Sequence, residues 1–107
     1  MNTITNDDGK CAVALAALQN VVDPEINLNV VDLGLIYRID FEEGALSITC
    51  TMTLTTQFCP MGESITEGVK DALQYTFSEY NVNVILTFTP AWNHEMISDE
   101  GRMFLNN

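Results

Sequence analysis

Positive charge is nearly missing from this chain. Lys10, Arg38, Lys70 and Arg102 stand against 15 acidic residues in 107, a formal net charge of −11 at pH 7. A surface of that sign repels phosphate backbones and anionic lipid headgroups, so nucleic-acid and membrane-surface binding are set aside. Long apolar runs are missing too. The longest, Cys11 to Leu18, is far short of the ~20 residues that span a bilayer. The opening "MNTITNDDGK" has neither the basic nor the apolar segment of a secretory leader, and the expected location is the cytoplasm. Cysteine is scarce: Cys11, Cys50 and Cys59 make no C-x-x-C pair, and an odd number is no disulfide framework, so reduced thiols are expected. With one histidine, His94, ligands for a zinc site are also wanting. Repeats, linkers and low-complexity tracts are absent.

What is present reads as one domain. Hydrophobic residues make up 47% and charged residues 18%, the balance of a chain that folds. Residues 1 to 8 read as a frayed, flexible start and residues 9 to 107 as the domain. Cys11, Ala14, Leu15 and Leu18 share one face of a helix expected over residues 9 to 20, which Asp23-Pro24 ends. "EINLNVVDLG" reads as a loop or short helical turn packed by Ile26, Leu28, Val30 and Val31.

The period then changes to two. Leu35, Tyr37, Ile39 and Phe41 alternate with Ile36, Arg38 and Asp40, and "EEG" turns the chain. Leu46, Ile48, Cys50, Met52 and Leu54 alternate with Ser47, Thr49, Thr51, Thr53 and Thr55, completing a hairpin with one apolar face. A second helix follows with Met61, Ile65, Val69, Ala72, Leu73, Thr76 and Tyr80 along one stripe. Val82, Val84, Leu86 and Phe88 form a third strand closed by Pro90, and a short helix starts at Ser98, a natural N-cap. The order α-β-β-α-β-α predicts an α+β two-layer sandwich, a small three-stranded sheet with helices on one face.

The parity of the threonine strand places Cys50 in the core, and the helix face does the same for Cys11. Cys59 differs because Pro60 follows it. Proline suits the first position of a helix, which would make Cys59 the N-cap and turn its sulfur toward free N–H groups and the positive helix end. Both favour thiolate. Glu63 and Glu67 oppose that charge, and Ser64-Ile-Thr-Glu67 is a capping-box match that would start the helix four residues later. Thr55 and Thr56, at the strand's end, offer hydroxyls to a sulfur or a ligand.

"DPEINLNVVDLGLIY", "TMTLTTQFCP" and "PAWNHEMISDEGRMFL" resemble, in the same order, three motif blocks of the SufT / PaaD-like metal–sulfur cluster biosynthesis family, which includes the eukaryotic cytosolic iron–sulfur targeting factors. The resemblance runs from about residue 11 to residue 105. It implies a compact α+β fold and an accessory, non-enzymatic role in iron–sulfur protein maturation, with the assembly machinery and client apoproteins as partners. The family's surface site carries over to Asp23, Glu25, Thr55, Thr56 and Cys59, with Asp32 and Trp92 nearby. Plainer readings stand beside these roles: Asp23 as a cap or turn former, Glu25 as an exposed carboxylate, Asp32 as a turn former, Trp92 as edge packing, and His94 as simply exposed. Ala91 and Gly101 depart from the pattern, where proline and alanine are common, and are expected to loosen the C-terminal segment.

An iron–sulfur cluster takes four thiolates, or two with two imidazoles. A single thiol outside the expected core and one imidazole do not hold a cluster stably in one monomer. Cys59 is left to supply one ligand to a transient iron ion or cluster shared across a homodimer or with a client, with Asp23 or Glu25 adding an oxygen. Passing sulfur, or contacting the client, are its other uses. The alternatives are an adaptor that docks clients through its acidic surface and C-terminal segment, around Glu25 or Glu95, and a support factor for a phenylacetate-type multi-subunit oxygenase. A cysteine hydrolase would need a base that only His94 supplies.

Overall fold

The structure, a computed structural model, describes residues 3–56 and 62–106. Two apolar series build its centre. Strand β4 (Ile36–Glu42) runs antiparallel to β5 (Ser47–Met52), with Ile39 facing Cys50 and Phe41 facing Ile48. Helices α1 (Asp8–Leu18) and α2 (Gly62–Thr76) cover that face, because Cys11, Ala14 and Leu18 share one core with Ile65, Val69 and Leu73. Asp7 caps α1, its carboxylate accepting from the Lys10 N–H at 3.0 Å. No helix among the described residues is long and apolar enough to cross a membrane.

The sheet is larger than the three strands expected. Its order is β1-β4-β5-β6, where β1 is Ile4–Thr5 and β6 is Asn81–Leu86. Both outer strands run parallel to their neighbours, while the central pair is antiparallel. The expected frayed start is therefore corrected from Thr3 onward. Ile4 pairs with Arg38, and the Asn6 side chain both donates to the Phe41 carbonyl and accepts from its N–H, each at 2.9 Å. A side-chain amide thus continues the ladder where the strand stops, a role that leaves no apolar pattern to read.

"EINLNVVDLG" does make the expected helical turn, the Leu33 N–H donating to the Asn29 carbonyl at 3.0 Å, but it is not only that. It contains half of a small hairpin, β2 (Val22–Asp23) against β3 (Leu28–Asn29), turned through Asn27 at φ 64°. In β5, Leu46 does not join the inward series: it lies in the turn at φ 48° and is exposed. Thr53, expected outside, is fully buried. A register shift between Ile36 and Arg38 explains both Thr53 and Tyr37, which is buried apart from the main core. The segment after β6 returns over this end, and the Tyr37 hydroxyl donates to the Pro90 carbonyl at 2.7 Å. A 3-10 turn (His94–Met96) leads to α3 (Asp99–Leu105), capped by Ser98 as expected.

Candidate functional site

The Asp-Pro-Glu turn is built by the small hairpin. Asp23 is almost fully buried; its Oδ1 accepts from the Glu25 N–H at 2.8 Å, and its carbonyl accepts from the Asn27 N–H at 2.7 Å. That geometry makes Asp23 a turn former whose carboxylate fixes Glu25, two residues on and exposed. Thr55 is half-buried and Thr56 exposed, immediately past β5. Three backbone bonds join the two segments: Val30 N–H to Val21 O at 2.9 Å, Leu35 to Val30 at 3.0 Å, and Thr53 to Leu35 at 2.9 Å.

Both segments also abut α2. A methyl group on Gly68 would stand 3.1 Å from Val21, and one on Gly62 only 2.7 Å from Leu54. Six residues of α-helix separate these contacts, about 9 Å at 1.5 Å per residue. The hairpin base and the strand end therefore border the first half of one helix. Cys59 and Pro60 lie outside the described residues, between Thr56 and Gly62. The later helix start at Ser64 does not occur, since α2 already includes Gly62 and Glu63.

The other two thiols are withdrawn from chemistry. Cys50 has no exposure, and burial, with a smaller contribution from nearby Cys11, pushes its thiol up to about 12 from 9.0. Burial also raises Cys11 above its ordinary value, against a hydrogen bond with Thr5 that lowers it. Thiols so placed are poor nucleophiles and poor ligands at neutral pH. Among the described residues no group of three or more His, Cys, Asp or Glu side chains is arranged to hold a metal ion.

Asp32 and Trp92 belong to a different grouping. The Asp32 carboxylate accepts from Asn29 Nδ2 at 2.7 Å and from the Ser98 hydroxyl at 2.8 Å, while Ser98 in turn caps α3 at the Gly101 N–H. Trp92 Nε1 donates to the Leu33 carbonyl at 2.6 Å. These residues fasten the C-terminal segment to the loop before β4. Gly34, at φ 79°, lies where a methyl group would be 2.2 Å from the Met96 carbonyl oxygen. Gly101 acts the same way: a methyl there would meet Ile97 at 2.9 Å and Leu28 at 3.0 Å. The departure at Gly101 therefore lets α3 sit closer instead of loosening it. Asn29, Tyr37 and Ser98 were not singled out for this fastening. The need of a buried tyrosine hydroxyl for a partner was the one available signal.

Among known proteins, the family model described as "Iron-sulfur cluster assembly protein" matches residues 12–91. A protein of Porphyromonas gingivalis named Fe-S protein maturation auxiliary factor is 42% identical over 88 residues, covering 82% of this chain and 83% of that one. A Bacillus subtilis protein of the same description is 35% identical over 91 residues, covering 85% and 88%. A crystal structure of a domain of unknown function from Bacillus anthracis superposes with a TM-score of 0.83 at 31% identity, over 89% of this chain and 90% of that one.

Proposed function

Because this chain belongs to the iron–sulfur cluster assembly protein family, of the SufT / PaaD-like kind, we propose that it is an auxiliary maturation factor acting through Cys59. A role in iron–sulfur assembly follows from the family, and accessory work fits the relatives' names. The observation that carries the finer reading is the burial of the other two thiols. With Cys11 and Cys50 enclosed and Cys50 held protonated, Cys59 is the remaining thiol to ligate iron or to contact a client. Its surroundings in sequence suit that work: the Thr55 and Thr56 hydroxyls precede it, and the Asp23 turn fixes the Glu25 backbone in a hairpin whose base, at Val21, borders α2. In this reading iron or a cluster is cargo, held transiently and shared with a second chain or with the client, since one thiolate does not complete a cluster's ligand set. The factor works in the cytoplasm, with the assembly machinery and client apoproteins as partners.

Complementation tests it. Deleting the gene in its host should lower aconitase activity, wild-type protein should restore it, and Cys59→Ser should not, while thermal unfolding of Cys59→Ser stays within a few degrees of wild type. Rescue by Cys59→Ser would instead leave an adaptor that docks clients without thiol chemistry.

A further inference from the structure

The four bases are not used alike. Lys10 meets Asp7 and Glu43, and Arg38 meets Asp40. Arg102 has no carboxylate partner among the described residues, although Asp99 and Glu100 precede it on α3 and Glu95 lies close by. Its Nη2 instead donates to two backbone carbonyls, of His94 at 3.4 Å and Glu95 at 3.2 Å. A guanidinium pinned by one nitrogen keeps its remaining donors for something else.

Beside it lies a cavity of about 350 Å³, between the 3-10 turn and α3, lined by His94, Glu95, Ile97, Arg102, Leu105 and Asn106. Small-molecule sites run from about 300 to 1,000 Å³, so this is room for a small group. Ile97 is buried at the floor and Leu105 is exposed at the rim, giving the cavity an apolar side. The His94 ring rests against Trp92, with centroids 5.1 Å apart, and Trp92 is itself bonded to Leu33. Among the described residues Glu95 is the one carboxylate in the lining. Against it, and against a net charge of −11, a phosphate or other polyanion is disfavoured, whereas one carboxylate matches the Arg102 fork.

We propose that this cavity binds a monocarboxylate carried on a branched apolar group, with the carboxylate on Arg102 and the apolar body over Ile97 and Leu105. The inference is independent of Cys59. Free branched-chain acids and the last residue of a polypeptide share this chemistry.

Amide-resolved NMR of the full chain tests it with three probes: N-acetylleucine, its neutral isostere N-acetylleucinamide, and 4-methylpentanoate. The acids should give saturable shifts confined to residues 94–106, with Kd on the order of millimolar for so small a ligand. The amide should not, and Arg102→Gln should weaken the acids by about tenfold or more. Tighter binding of N-acetylleucine assigns the site to a chain terminus; equal or tighter binding of 4-methylpentanoate assigns it to a free acid. Equal response to acid and amide, shifts unchanged in Arg102→Gln, or no saturable shift at 94–106 would overturn the proposal. Should Arg102→Gln disturb α3, the acid-against-amide comparison on unaltered protein decides alone.

Discussion

Cys50 gives the protein a dependence on alkaline pH. Burial pushes its thiol up to about 12 in the folded chain from an ordinary 9.0, and raises Cys11 in the same direction. Above pH 9 the unfolded chain releases protons that the folded chain keeps, so the unfolded state gains stability. The contribution is complete below pH 9 and is lost as pH climbs toward 12, at about 1.4 kcal/mol per pH unit for one thiol. Urea midpoints taken upward from pH 9 should fall more steeply for wild type than for Cys50→Ala; parallel slopes would trace the loss to other groups. The burial of Cys50 was legible, because strand parity alone gives it. Asp32 was not: its decisive partner, Ser98, is 66 residues away, and nothing local in either stretch announces the bond. Thr53 misled for a related reason. Alternation assigns a face, but the register shift between Ile36 and Arg38, which no local pattern shows, goes with the burial of Thr53.

At the scale of elements, the C-terminal segment depends on close backbone approach. Gly34→Ala forces a methyl group to 2.2 Å from the Met96 carbonyl oxygen at a φ of 79°, which side chains resist. We expect a loss of about 3 kcal/mol or more, read from urea unfolding, with fluorescence of Trp92 changing in the same variant. A loss under about 1 kcal/mol would mean the segment moves aside freely. Elements with several turns or pleats were readable: α2 carries its stripe through Ile65, Val69 and Leu73, and β5 its alternation through Ile48, Cys50 and Met52. Two-residue strands were not. β1, β2 and β3 are too short to show a period, and their pairing is completed by Asn6 and by the Asp23 turn.

For the whole molecule, charge sets a third expectation. Fifteen acids against four bases repel one another, and only three ion pairs among the described residues offset them. Screening that repulsion should raise the melting temperature as sodium chloride goes from low to physiological concentration; a fall would show that the Lys10 and Arg38 pairs outweigh it. The charge was plain in the sequence, but which bases lack a carboxylate was not, since that needs the fold. Chain connectivity carries a consequence of its own. Ile4 pairs with Arg38 and Ser47 with Asn81, both in parallel, and Ser98 reaches back to Asp32. A ribosome therefore delivers each first partner long before its second. Strand β1 has no partner until β4 has emerged, and the bond to Asp32 closes only after Ser98 has been synthesised. A message cut short before Ser98 leaves Asp32 without that hydroxyl and the loop before β4 without its fastening.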